Sequence, residues 1–186
     1  MSMVPGSTPQ QKLDASQKLL KDHGADTSKL CILGVRGYYK DSMGEPGQND
    51  LGIYDDAIFI VGPDCYASFN ANVDPVRSRK GFGFGENHGM AHLKPGLWLY
   101  QLGLHRGSYL ALVQAADVTV IRDGNPPYPD TGDFGIHIHK GGYNNVSSIG
   151  CQTIYPDQWD SFIALVQSQM KNLGQHKVQY LLVENA

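Results

Sequence analysis

The sequence predicts a mainly β fold: a β-rich, sandwich- or barrel-like core with an N-terminal and a C-terminal helix packed outside it. Three observations predict this. Short runs rich in β-branched and aromatic residues recur from position 53 onward. Turns containing Gly and Pro separate them. Helical periodicity is confined to two stretches, one near each end of the chain.

In chain order, Thr8-Pro9 offers a helix start, with proline at the first helical position. Leu13, Ser16, Leu19 or Leu20 and His23 follow at helical spacing, and Gly24 stops the helix. Residues 1–28 therefore read as an N-terminal helical extension, and 29–186 as a single β-rich catalytic domain. Ile53 to Val61, Tyr66 to Asn70, Leu97 to Leu102, Tyr109 to Val113, Asp117 to Arg122 and Phe134 to His139 read as strands. Gly62-Pro63-Asp64, Lys94-Pro95-Gly96 and Asp123-Gly124-Asn125-Pro126-Pro127 supply turns between them. Residues 74–92 form a long, polar, Gly-rich connection, read as a flexible flap. Its Gly81-x-Gly83-x-Gly85 is not a dinucleotide fingerprint, because no helical pattern follows it. Pro156 opens a second helix with Trp159, Phe162, Ile163, Val166 and Met170 on one face. Gly174 ends it, and Val178 to Val183 is a closing strand.

Composition excludes several classes of function. A chain of 186 residues with 41% hydrophobic content suggests one domain with its own core. A formal net charge of −3 gives no electrostatic case for nucleic acid. Arg77-Ser78-Arg79-Lys80 is too short a basic knot to change that and reads as a solvated loop. No apolar run approaches the roughly 20 residues of a membrane helix, so no membrane insertion is expected. The start of the chain lacks the basic and apolar regions of a signal peptide, which predicts synthesis in the cytoplasm. Three cysteines cannot form a closed disulfide framework, and no CxxC pair suggests a thiolate zinc site. Cys31, in an apolar run, reads as a small buried hydrophobe, and Cys65 sits at a turn.

The chemistry centres on Cys151 and the paired histidines His137 and His139. Gly135-Ile136-His137-Ile138-His139 alternates like a strand. Period-2 geometry puts the two imidazoles on one face and the two isoleucines on the other. Lys140 through Asn145 turn the chain, and Ser148-Ile149-Gly150 brings in Cys151. A thiol nucleophile needs a base, a group that orients the base, and N–H donors for the oxyanion. A histidine one loop away supplies the first. The Gly150-Cys151 backbone supplies the third, because glycine lets a carbonyl approach closely.

A His-bearing strand, a Gly-rich turn and then Ser-x-Gly-Cys resembles the active-site signature of the L,D-transpeptidase catalytic-domain family. Ser148, Gly150 and Cys151 match the family's Ser, Gly and nucleophilic Cys, and His139 matches its catalytic His. Lys94-Pro95-Gly96-Leu97-Trp98 resembles, more loosely, a strand upstream of that His. The motif covers residues 135–155, with a loop shorter than in the standard enzymes and closer to compact phage and effector-like variants. Ile149 stands where the family has a polar or basic residue. Gln152-Thr153 stands where it has an apolar residue and then Arg or Asn.

The resemblance implies a β-rich fold and a cysteine enzyme that acts on peptidoglycan stem peptides through a Cys151 thioester, with no cofactor and no metal. It implies His139 as base, with His137 in support and Ser148 and Gly150 at the substrate; Tyr143 is a separate candidate for substrate contact. It also implies action in the cell wall or periplasm after delivery by another machine, with a delivery or immunity partner. Arg36, flanked by glycines and aromatics, is a candidate carboxylate grip that replaces the missing Arg; the alternative is an ion pair with Asp55 or Asp56.

Two other readings stand beside this one. A zinc-dependent hydrolase would use His137 and His139, with Cys151 or another histidine as third ligand and His88 and His92 as further candidates. A non-catalytic cell-wall or virion binding module would use Tyr38, Tyr39, Tyr66 and Tyr143 as platforms.

Overall fold

The computed structural model describes residues 3–80 and 89–185. The glycines of the expected flap, Gly81, Gly83 and Gly85, and the candidate ligand His88 lie outside the described residues. The elements in chain order are α1 (Leu13–Asp22), β1 (Cys31–Arg36), β2 (Asp56–Val61), β3 (Tyr66–Asn72), β4 (Ala91–Leu93), β5 (Gly96–His105), β6 (Tyr109–Gln114), β7 (Val118–Arg122), β8 (Tyr128–Gly132), β9 (Ile138–Lys140), β10 (Gln152–Ile154), α2 (Pro156–Asn172) and β11 (Val178–Glu184). Eight strands close a barrel in the order β1-β11-β5-β6-β9-β10-β3-β2, and β4-β7-β8 form a separate three-stranded sheet. The fold is thus mainly β with one helix near each terminus, and its core closes on itself instead of stacking two open sheets.

Strand alternation sorts the apolar residues into two clusters. Ile32, Ile58, Ile60, Tyr180 and Leu182 point to one face of the sheet. Cys31, Leu33, Ala57, Phe59, Leu181 and Val183 point to the other. α2 lays Trp159, Phe162, Val166 and Met170 into the first cluster, with the Phe162 ring edge-on to Phe69 at 5.2 Å. α1 inserts the fully buried Leu20 into the second. The two helices therefore cover opposite faces of the sheet. Gly34 on β1 is glycine for a packing reason: a Cβ there would lie 2.3 Å from the Tyr180 hydroxyl.

Some boundaries differ from expectation. α1 begins at Leu13 and not at Pro9, because the Gln10 N–H donates to the Tyr38 hydroxyl and holds that segment off the helix. The strand expected over 134–139 shrinks to Ile138–Lys140. The N–H groups of Phe134 and Ile136 donate instead to the Gln114 side-chain oxygen, at 3.2 and 2.8 Å. Residues 134–137 thereby peel away from β6 and open a cavity.

Candidate active site

β9 and β10 run parallel, with Gln152 opposite Ile138 and Thr153 opposite His139. One step back along both chains, Cys151 comes alongside His137, and the Gln152 N–H donates to His137 O at 2.9 Å. The turn before the thiol is tightly built. The Ser148 hydroxyl accepts from the Gly150 N–H at 3.0 Å and donates to Cys151 O at 2.7 Å. Gly150 has φ +152, and a Cβ on it would meet Ala91 O at 2.7 Å and Ile136 Cδ1 at 3.1 Å. Only glycine fits there without displacing β4. Gln152, fully buried, donates to Gly150 O at 3.1 Å and accepts from the Tyr180 hydroxyl at 2.9 Å. It ties the cysteine turn to the barrel interior.

Cys151 opens into a cavity of about 250 Å³, lined by Ala91, His105, Arg106, Arg122, Phe134, Gly135, Ile136, His137, Ile149 and Gly150 besides the thiol. The thiol donates to Gly135 O at 3.4 Å. Ile136 and Ile138 are buried in the apolar core, as alternation requires.

The two expected histidines meet a third, His105, at the end of β5. Its Nδ1 lies 2.9 Å from His137 Nδ1, one donating to the other, and its ring stacks on His139 with centroids 4.0 Å apart. His137 shares the cavity with the thiol. His139 does not line it. It faces an adjoining depression with Tyr109, Lys140 and Ser147, and its Nδ1–H donates to Lys140 O at 2.7 Å. Burial and the nearby His137 and Arg106 charges hold His105 down at about 4. Burial and the His105 neighbour hold His139 at about 4. Burial also lowers His137, though Asp133 partly offsets it. Burial pushes the Cys151 thiol up, against the opposing pull of the His137 backbone N–H and the Arg106 charge. The resting site is therefore a neutral thiol among neutral imidazoles, not a thiolate–imidazolium pair.

Other expected substrate contacts are engaged elsewhere. Arg36 is no carboxylate grip in this site. Its Nε donates to Asp74 Oδ2 at 3.2 Å, its Nη1 to Glu184 at 3.3 Å and its Nη2 to Leu93 O at 2.8 Å, outside the Cys151 cavity. The ion-pair alternative holds, with Asp74 and Glu184 as partners in place of Asp55 or Asp56. Ser148 is 3% exposed and its hydroxyl is consumed within the turn, so it shapes the site without reaching a substrate. Tyr143 is exposed, does not line the cavity, and donates to Asp157 at 2.5 Å. The His92 Nδ1–H donates to Asp74 Oδ1 at 3.0 Å, away from the thiol. Among the described residues, no group of three or more His, Cys, Asp or Glu side chains is arranged to hold a metal ion.

Three functional candidates escaped the sequence reading. His105 and Arg106 sit at a β5–β6 turn whose proximity to His137 depends on strand order, so no local signal marks them. Arg122 did leave a signal: Val118, Val120 and Arg122 alternate onto the buried face of β7. A charge on that face is a flag.

No protein-family model matches the chain, and neither a curated protein nor a solved structure matches it. No helix among the described residues is long and apolar enough to cross a membrane.

Proposed function

We propose that this protein is a cysteine-dependent acyl transferase or hydrolase of L,D-transpeptidase type, acting on peptidoglycan stem peptides through a thioester on Cys151. The observation that carries the reading is a thiol presented by a glycine-enforced turn, side by side with His137, in a cavity with two arginines. The stem-peptide substrate, its setting in the cell wall or periplasm, and delivery there by another machine rest on the motif at His139, Ser148, Gly150 and Cys151.

The Cys151 sulfur attacks the carbonyl carbon of the peptide link while His137 takes the thiol proton. The resemblance gives the base role to His139. Shared lining of the cavity favours His137, with His105 orienting it through the Nδ1···Nδ1 hydrogen bond. Collapse of the tetrahedral intermediate breaks the C–N bond, and the departing amine receives the proton. An incoming amine or water then attacks the thioester and regenerates the thiol.

The test is incubation of the protein with defined stem peptides, followed by intact-protein mass spectrometry and product analysis. The expected result is an adduct on Cys151 and trimmed or exchanged peptides, both lost in folded Cys151→Ala and Cys151→Ser. Full turnover by Cys151→Ala would end the thiol reading.

A further inference from the structure

One group in the Cys151 cavity is left unused by the chemistry above. Arg122, on β7, is 1% exposed. Its Nε donates to Asp130 Oδ2 at 3.1 Å, and its guanidinium carbon lies 4.7 Å from the centre of the Phe134 ring. These two contacts fix the plane of the guanidinium. Its Nη2 is buried and has no hydrogen-bond partner. A buried donor on a charged group that is left unmade is costly, so its retention in a cavity calls for a ligand acceptor. The cavity wall holds a second guanidinium, Arg106, and no Asp or Glu among its described residues. The remaining lining is largely apolar, and the volume falls below the roughly 300–1,000 Å³ of drug-sized ligand sites.

We propose that Arg122 is a specificity-determining residue that binds a free carboxylate beside Cys151, so that the bond attacked is the last one of a peptide chain. A planar guanidinium in the cavity wall, held through Nε by Asp130 and with Nη2 unpartnered, matches a carboxylate best among the acceptors a small, half-apolar cavity can take. The acyl donor then has a terminal amino acid as leaving group, its carboxylate on Arg122 and its carbonyl at the thiol. The protein trims or exchanges terminal residues and does not cut internal links. This assignment rests on the Cys151 reading.

Alkylation of the wild-type thiol tests the carboxylate site without any peptide turnover. Iodoacetate and iodoacetamide both form a thioether with the Cys151 sulfur and release iodide, and they differ only in carrying a carboxylate or an amide. The iodoacetate-to-iodoacetamide rate ratio at Cys151, followed by mass, is expected to exceed that of a free thiol such as N-acetylcysteine by tenfold or more at the same pH. Arg122→Met returns the ratio to the free-thiol value, Arg122→Lys keeps part of the excess, and Arg106→Met lowers it less than Arg122→Met does. N-acetylalanine protects wild-type Cys151 from iodoacetamide, whereas N-acetylalanine amide and inorganic phosphate do not. The wild-type measurements stand even if an Arg122 variant fails to fold. A wild-type ratio equal to that of the free thiol overturns the proposal. So does stronger protection by phosphate than by carboxylate, or a ratio abolished by Arg106→Met and untouched by Arg122→Met. Peptides that acylate Cys151 without any carboxylate preference sink this inference alone. A carboxylate preference at a thiol that no peptide acylates sinks the stem-peptide reading and leaves the carboxylate site standing.

Discussion

At the scale of single residues, burial dominates the chemistry of the thiol. Withdrawal from water disfavours the thiolate, and neither the His137 backbone N–H nor the exposed Arg106 offsets it. Iodoacetamide labelling of Cys151 should therefore keep rising through pH 9, the ordinary thiol value. A plateau below pH 7 would mean a preformed thiolate, which this cavity does not support. The base follows from the same geometry. His137→Ala should lower thioester formation at pH 7 by about 10²–10⁴-fold, the usual worth of a positioned base. Its alkylation in strong base, where hydroxide deprotonates the thiol, should stay close to wild type. His139→Ala should cost much less at pH 7; the reverse ranking would return the base role to His139. Gly150 offers a further test. A methyl group there drives into Ala91 O and Ile136, so Gly150→Ala should cost about 1–3 kcal/mol of stability and slow acylation. A variant with unchanged melting temperature and rate would show that β4 gives way freely. Cys151, Gly150 and the histidine pair were legible because their spacing is local. His105 was not, because its meeting with His137 is made by a strand neighbour 32 positions distant.

At the scale of elements, most long strands were readable and short ones were not; the exception is six-residue β1, whose apolar run around Cys31 shows only as buried chain. β2, β3, β5, β6, β7 and β11 each carry five or more residues of alternating or continuous apolar pattern. β4, β9 and β10 have three residues each, too few for a period to show. β8, Tyr128–Gly132, contains a proline and a glycine and reads as a turn until it pairs with β7. Between elements, the Arg36–Asp74 pair joins β1 to the segment after β3. Burial alone would push Asp74 up, but the His92 hydrogen bond, the Arg36 charge and Asn49 hold its carboxyl below the ordinary range. Removing the guanidinium leaves a buried carboxylate short of its counter-charge. Arg36→Ala should therefore destabilise the fold by about 3–5 kcal/mol in chemical denaturation. KM for substrate in the surviving folded fraction should not change. A stable Arg36→Ala protein with raised KM would restore the substrate-grip role that the glycine-flanked arginine suggests from sequence.

At the scale of the whole molecule, two groups of buried titratable residues act on stability in opposite directions. His105 and His139 ionise at about 4 in the fold against an ordinary 6.5, so the unfolded chain binds more protons between those values. Their contribution to stability is full above pH 6.5 and is lost as pH falls toward 4. Asp55 is raised to about 7 by burial and by the Asp74 and Asp50 charges, and Asp56 is raised well above 3.8 by burial and the charges of Asp74 and Asp55. For these two the folded state holds the extra proton. Their contribution is full below pH 3.8; that of Asp55 is lost as pH rises through about 7, and that of Asp56 is likewise lost as pH rises. The two slopes oppose each other between pH 4 and 6.5, which should leave a shallow stability profile there, followed by a decline from pH 6.5 to about 7, where only the carboxyls act. Single substitutions separate them. Asp55→Asn keeps the acceptor for the Asp50 N–H but removes the ionisation. Its stability relative to wild type should grow from pH 4 to 7 and then level off. His105→Phe keeps the ring against His139 but removes the proton site, so its relative stability should improve as pH falls from 6.5 to 4. Denaturant midpoints across pH 4–8 for the three proteins measure both. Parallel curves for all three would mean that neither cluster is held away from its ordinary ionisation. The cavity around Cys151 would then be wetter than its apolar walls and unpartnered Arg122 nitrogen require.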